Sequence, residues 1–125
     1  MSTSIKAVHT VGIGVRDQER ALQFYVDVLG FEKRLDAWID ESTRWIEVAP
    51  RGVGPSLALT VTERPVDEVV DTGIRYLVPD ADAEHASMAR SAVIVGDVMR
   101  WEAVPAMFSF DDRDGNRFYV VEEMR

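Results

Sequence analysis

The chain is expected to fold as an α+β protein built from two β-α-β-β-β modules, and three observations lead there. The run VHTVGIGVRDQERALQFYVDVLGF, residues 8–31, passes from strand alternation through an aspartate into helical spacing and ends at glycine. A weaker copy of that pattern returns about 65 residues later, with Ile74 at the position matching His9. The segment DRDGN, residues 112–116, carries the turn chemistry of a hairpin between two apolar runs.

In the first half, Val8 to Val15 reads as a strand with His9, Val11 and Ile13 on one face and Val8, Thr10, Gly12 and Gly14 on the other. Asp17 suits the N-cap of a helix over about 17–29, whose apolar residues Ala21, Leu22, Tyr25, Val28 and Leu29 repeat at helical spacing before Gly30. Strands are expected at 31–35, 44–49 and 56–62. The polar stretch 63–72, with Pro65, reads as a linker between a first module at about 5–62 and a second at about 73–125. In the second module strands are expected at 73–78, 93–95, 106–110 and 118–122, with a helix from Asp80 or Asp82 to about Arg90. Two copies are too few for a solenoid, so the repeat implies a pseudo-twofold arrangement within one domain, 1–125.

Composition narrows the chemistry. A chain of 125 residues buries enough surface for one core. Its formal net charge of -8 repels a phosphate backbone or an anionic membrane, so neither nucleic acid nor membrane is an expected partner. Without cysteine there is no thiolate nucleophile, disulfide or Cys metal site, and MSTSIKAV lacks the apolar core of a signal peptide. A cytoplasmic protein is therefore expected. No phosphate-binding glycine loop or serine elbow is found, and a calcium loop at residues 110–121 fails because Phe110 and Val121 occupy its end positions.

The strand VHTVGIGV, the helix residues Phe24-Tyr25 followed by Leu29-Gly30-Phe31, and the terminal DRDGNRFYVVEE together resemble the vicinal oxygen chelate superfamily. This is the glyoxalase, bleomycin-resistance and extradiol-dioxygenase group. The resemblance implies eight strands curled into a cupped sheet with helices outside, a ligand site within, and commonly a homodimer. It also implies four metal-ligand positions in the metal-dependent members, which map to His9, Ala58 (or Thr60), Ile74 and Tyr119. Only His9 among these is an ordinary ligand, whereas a divalent ion needs three or four converging donors. No metal or other cofactor is therefore expected; Zn, Ni, Fe or Mn belongs to the alternative in which other donors complete the set.

The cup lining expected from this mapping is His9, Val11, Ile13, Ala58, Thr60, Ile74, Tyr76, Tyr119 and Val121, with Trp38, Trp45 and Trp101 near its mouth. Apolar walls with sparse polar tips suit a hydrophobic or aromatic organic molecule, held for sequestration, resistance or a biosynthetic accessory role. The alternative is an enzyme of lyase, isomerase or dioxygenase type, dependent on a metal or using His9 and Tyr119 as acid and base. His9 reads equally as a histidine satisfied within the core, and the tryptophans as dimer-interface residues.

Overall fold

The computed structural model describes residues 2–124, which form two compact units divided between Glu63 and Arg64. The first unit contains β1 (Thr10–Val15), α1 (Gln18–Leu22), β2 (Glu32–Trp38), β3 (Arg44–Ala49) and β4 (Ser56–Val61). Its sheet order is β1-β4-β3-β2, with β1 parallel to β4 and the other pairs antiparallel. In the second unit, β5 (Val70–Val78), α2 (Ala81–Arg90), β6 (Ile94–Val95), β7 (Met107–Asp111) and β8 (Asn116–Glu122) repeat that topology as β5-β8-β7-β6. The two β-α-β-β-β modules of the α+β fold are thus realised as two four-stranded mixed sheets.

Asp17 caps α1 as expected, its carboxylate accepting from the Arg20 amide at 3.1 Å. The regular helix expected over 17–29 does not continue to its end. Residues Gln23–Val28 form a π-helical segment, in which the Leu29 amide donates to the Phe24 carbonyl at 3.0 Å. The wider turn lets the consecutive residues Phe24 and Tyr25 both be buried, their rings edge-on at 5.2 Å, and sets Tyr25 beside Phe31 at 5.8 Å. Gly30, at φ 77°, then reverses the chain. Gln18 fastens the helix start to the sheet, donating to the carbonyls of Arg44 at 2.8 Å and Leu59 at 2.9 Å.

In each sheet one face is buried. In the first unit it comprises Ile13, Val15, Ile46, Val48, Leu57 and Leu59, which form the core with Ala21, Phe24, Tyr25 and Phe31. The second unit buries Phe108, Phe110, Phe118 and Val120, with Phe110 and Phe118 stacked at 5.2 Å. Helix α2 packs on that side, where His85 meets Phe108 edge-on and Nε2 lies 2.9 Å from the Gly96 carbonyl oxygen.

The expected linker 63–72 gives up its last residues to β5, which begins at Val70. The cause lies in the DRDGN turn. Asp112 accepts from the amides of Asp114 (2.8 Å) and Asn116 (2.9 Å) and from the Asn116 side chain (2.9 Å), so its carboxylate is spent within the turn. The turn then presents the Gly115 carbonyl to the Val70 amide at 2.8 Å. A side chain at Gly115 would sit 2.6 Å from the Glu68 carbonyl oxygen, so this docking requires glycine.

Helix α2 ends in a left-handed residue that is not glycine. Ala92 has φ 61°, and the Val93 amide donates to Met88 across the turn. Because Cβ strains this conformation, Ala92→Gly is expected to stabilise the protein by about 1 kcal/mol, seen as a rise in the urea midpoint with unchanged slope.

Candidate functional site

Strand alternation divides each sheet into the core face and a helix-free face, and register decides which residues share them. Thr10, Gly12 and Gly14 stand opposite Ser56, Ala58 and Thr60. Glu47 also pairs with Ala58, and Leu35 with Glu47, so the row Leu35, Glu47, Ala58, Gly12 crosses all four strands. A Cβ built on Gly12 meets nothing within 4 Å. The helix-free face therefore carries Gly12 with open space above it, beside the buried Ala58.

A polar network borders that floor. The Ser56 hydroxyl donates to Glu47 Oε1 at 2.5 Å, and the Trp45 indole Nε1 donates to Glu47 Oε2 at 2.8 Å. Ser56 Oγ also lies 3.2 Å from Thr10 Oγ1, whose hydroxyl donates to the Ser56 carbonyl at 3.2 Å. The hydrogen bond from Ser56, followed by that from Trp45, holds the Glu47 carboxyl below its ordinary range, with smaller help from charge at His9 and Arg34. Glu47 is thus an oriented carboxylate, partly exposed on this face.

The helix-free face of the second unit is built differently. Arg75, Tyr119 and Ser109 form one row, and Leu77, Val121 and Met107 the next. The Tyr119 hydroxyl donates to Asp71 Oδ2 at 2.7 Å, which raises the phenol's pKa and lowers that of the carboxyl. Arg75 lies 5.7 Å from the centre of the Tyr119 ring, and Arg117 grips Asp111 at 2.8 and 3.0 Å. The charges on this face largely answer one another.

This geometry corrects the expected lining. His9 precedes β1, is exposed, and engages the sheet through its carbonyl, which accepts from the Ser56 amide at 3.1 Å. Its charge acts on Glu47, whereas Val11 and Ile13 belong to the core face, opposite Ala58 and Thr60. In the second unit Ile74 and Tyr76 likewise lie on the core side, where burial raises the Tyr76 pKa, whereas Tyr119 and Val121 lie on the other. Of the tryptophans, Trp45 joins the network, while Trp38 and Trp101 are exposed. Thr10, Glu47, Ser56 and Asp71 are not in the lining expected from the sequence. A signal for the first existed: Val11, Ile13 and Val15 are the larger apolar set in β1, so the core claims them and leaves Thr10, Gly12 and Gly14 for the free face.

The donor set does not suit a divalent metal. Among the described residues no three His, Asp or Glu side chains gather as ligands would. The helix-free face of the strands concerned presents Thr10, Gly12, Gly14, Ser56, Ala58 and Thr60 in one unit and Asp71, Gly73, Arg75, Leu77, Arg117, Tyr119 and Val121 in the other, with Asp71 the one carboxylate among them. The Thr60 hydroxyl is already bonded to the Ile13 carbonyl at 2.9 Å.

The duplicated topology with one helix-free face per module defines a known class. The family model of the Glyoxalase/Bleomycin resistance protein/Dioxygenase superfamily matches residues 6–120, and the chain belongs to that family. It is similar to a crystal structure of a member of that superfamily from Sphaerobacter thermophilus DSM 20745, 34% identical, covering 97% of this chain and 100% of that one, with TM-score 0.87. It is also similar to TnmS3, an antibiotic binding protein from Streptomyces sp. CB03234, at 28% identity and TM-score 0.84, covering 98% and 100% of the two chains. YetH, an uncharacterized protein of Bacillus subtilis (strain 168), is 29% identical over 122 residues, 94% of this chain and 99% of its own. No helix among the described residues is long and apolar enough to cross a membrane.

The Glu47 network makes stability depend on acid. A carboxyl whose folded pKa lies below its unfolded value of about 4.3 contributes fully above that value and loses the contribution as pH falls through the folded pKa. The urea-stability gap between wild type and Glu47→Gln is expected to stay constant from about pH 7 to 5 and to narrow below about pH 4.

Proposed function

We propose that this protein binds a small, largely apolar organic molecule of aromatic character over the helix-free face of its first unit, without a metal held at the family's four ligand positions. The observation that carries this reading is the open space above Gly12, beside Ala58, bordered by the Trp45 indole and the Glu47 carboxylate. A flat apolar floor supplies burial, and a few fixed polar groups orient the guest. The likeness to TnmS3, an antibiotic binding protein, supports sequestration or resistance as the role. Tyr119 suits packing and orientation better than proton transfer, because its hydroxyl donates to Asp71 and its pKa is raised.

Calorimetric titration with a panel of planar aromatic compounds, acridine and 9-aminoacridine included, is expected to give saturable binding at one site per chain. Gly12→Leu, whose side chain enters open space, is expected to keep the fold by circular dichroism and weaken binding at least about tenfold. Absence of saturable binding across the panel, or full binding by Gly12→Leu, would overturn the reading.

The proposed working state is a homodimer. Leu35, Val61 and Leu77, 44%, 65% and 67% exposed, are apolar surface of the kind that association covers. Sedimentation is expected to give twice the chain mass, and a monomer at the concentrations used for binding would refute it.

A further inference from the structure

We infer that Glu47 selects for cationic guests: the face of the first unit binds planar aromatic compounds carrying a protonated, N–H-bearing nitrogen in preference to their neutral counterparts. This deepens, and rests on, the ligand-binding reading above. Three observations carry it. Glu47 sits in the row Leu35, Glu47, Ala58, Gly12, so its carboxylate borders the open floor instead of pointing away from it. Each carboxylate oxygen accepts one hydrogen bond, from Ser56 Oγ and from Trp45 Nε1, which fixes the group's orientation and leaves each oxygen able to accept another. Among the described residues no Lys, Arg or His forms an ion pair with it within 4 Å, in contrast to Asp36 and Asp111, which Arg44 and Arg117 hold by paired hydrogen bonds.

A protein with this arrangement carries an oriented anion beside an apolar floor, with the tryptophan that fixes it alongside. A planar aromatic cation with N–H groups satisfies both: the ring covers Gly12 while an N–H reaches the carboxylate in a charge-assisted bond. The adjacent indole strengthens the preference, since its ring also favours cations. A neutral ring gains the floor alone, and a carboxylated one is repelled.

The test compares 9-aminoacridine, a cation at pH 7, with acridine, neutral at that pH and nearly the same shape, by isothermal titration calorimetry. Wild type is expected to bind the cation about tenfold more tightly, and Glu47→Gln to lose that preference and bind the two compounds alike. Should Glu47→Gln not fold by circular dichroism, Glu47→Ala serves with the same expectation. Equal binding of the two compounds by wild type, or a preference that persists without the carboxylate, overturns this inference while leaving the binding reading intact. If neither compound binds wild type the inference is overturned, and if no compound of the panel binds, the binding reading fails with it.

Discussion

The parallel pairing of β1 with β4 is the constraint on which the rest of the first unit depends. Side-chain direction alternates along a strand, so a slip of one residue would exchange the core face for the free face. Backbone bonds bracket the pairing, from the Ser56 amide to the His9 carbonyl at one end and from the Thr62 amide to the Val15 carbonyl at the other. Side chains reinforce it, with the Thr10 hydroxyl on the Ser56 carbonyl and the Thr60 hydroxyl on the Ile13 carbonyl. Once that register stands, Val11, Ile13 and Val15 must enter the core beside Leu57 and Leu59. Thr10, Gly12 and Gly14 are then left to meet Ser56, Ala58 and Thr60.

The second unit repeats the topology and diverges in chemistry. Its core is aromatic, with Phe108, Phe110 and Phe118 where the first unit packs mainly aliphatic strands. Its free face carries polar and charged groups that pair among themselves, Asp71 with Tyr119 and Asp111 with Arg117. The first unit's free face instead has open space above Gly12 and a carboxylate hydrogen-bonded by the neutral donors Ser56 and Trp45. A duplicated module can therefore hold its fold in both copies while the opposite side of the same strands diverges, because the fold depends on the buried alternation.

Much of the architecture was legible because it rests on local chemistry. Asp17 as an N-cap, Gly30 at the helix end and DRDGN as a hairpin turn each act within a few residues. The site was less legible. His9 attracted notice as the histidine of the first strand, yet it precedes β1, is exposed, and engages the sheet through its carbonyl. Glu47 could be seen only as an acidic residue on a neighbouring strand. Its meaning comes from Ser56, nine residues away, and from Trp45, brought to the same carboxylate by the β3–β4 pairing. The π-helical turn under Phe24 and Tyr25 and the docking of Gly115 against Glu68 are likewise tertiary outcomes, since each answers a packing demand from elsewhere in its unit.

What the sequence determined by itself is the α+β class and the twofold repeat, because periodicity, caps and turn residues are encoded in neighbouring positions, while the family was legible as a resemblance of motifs. Only the tertiary structure decided which side of each strand is core and which is free. That choice is made by the helix that covers one face and by the register of β1 on β4, and both depend on residues tens of positions apart. It moved the candidate site from His9 to the face of Thr10, Gly12, Ala58 and Glu47.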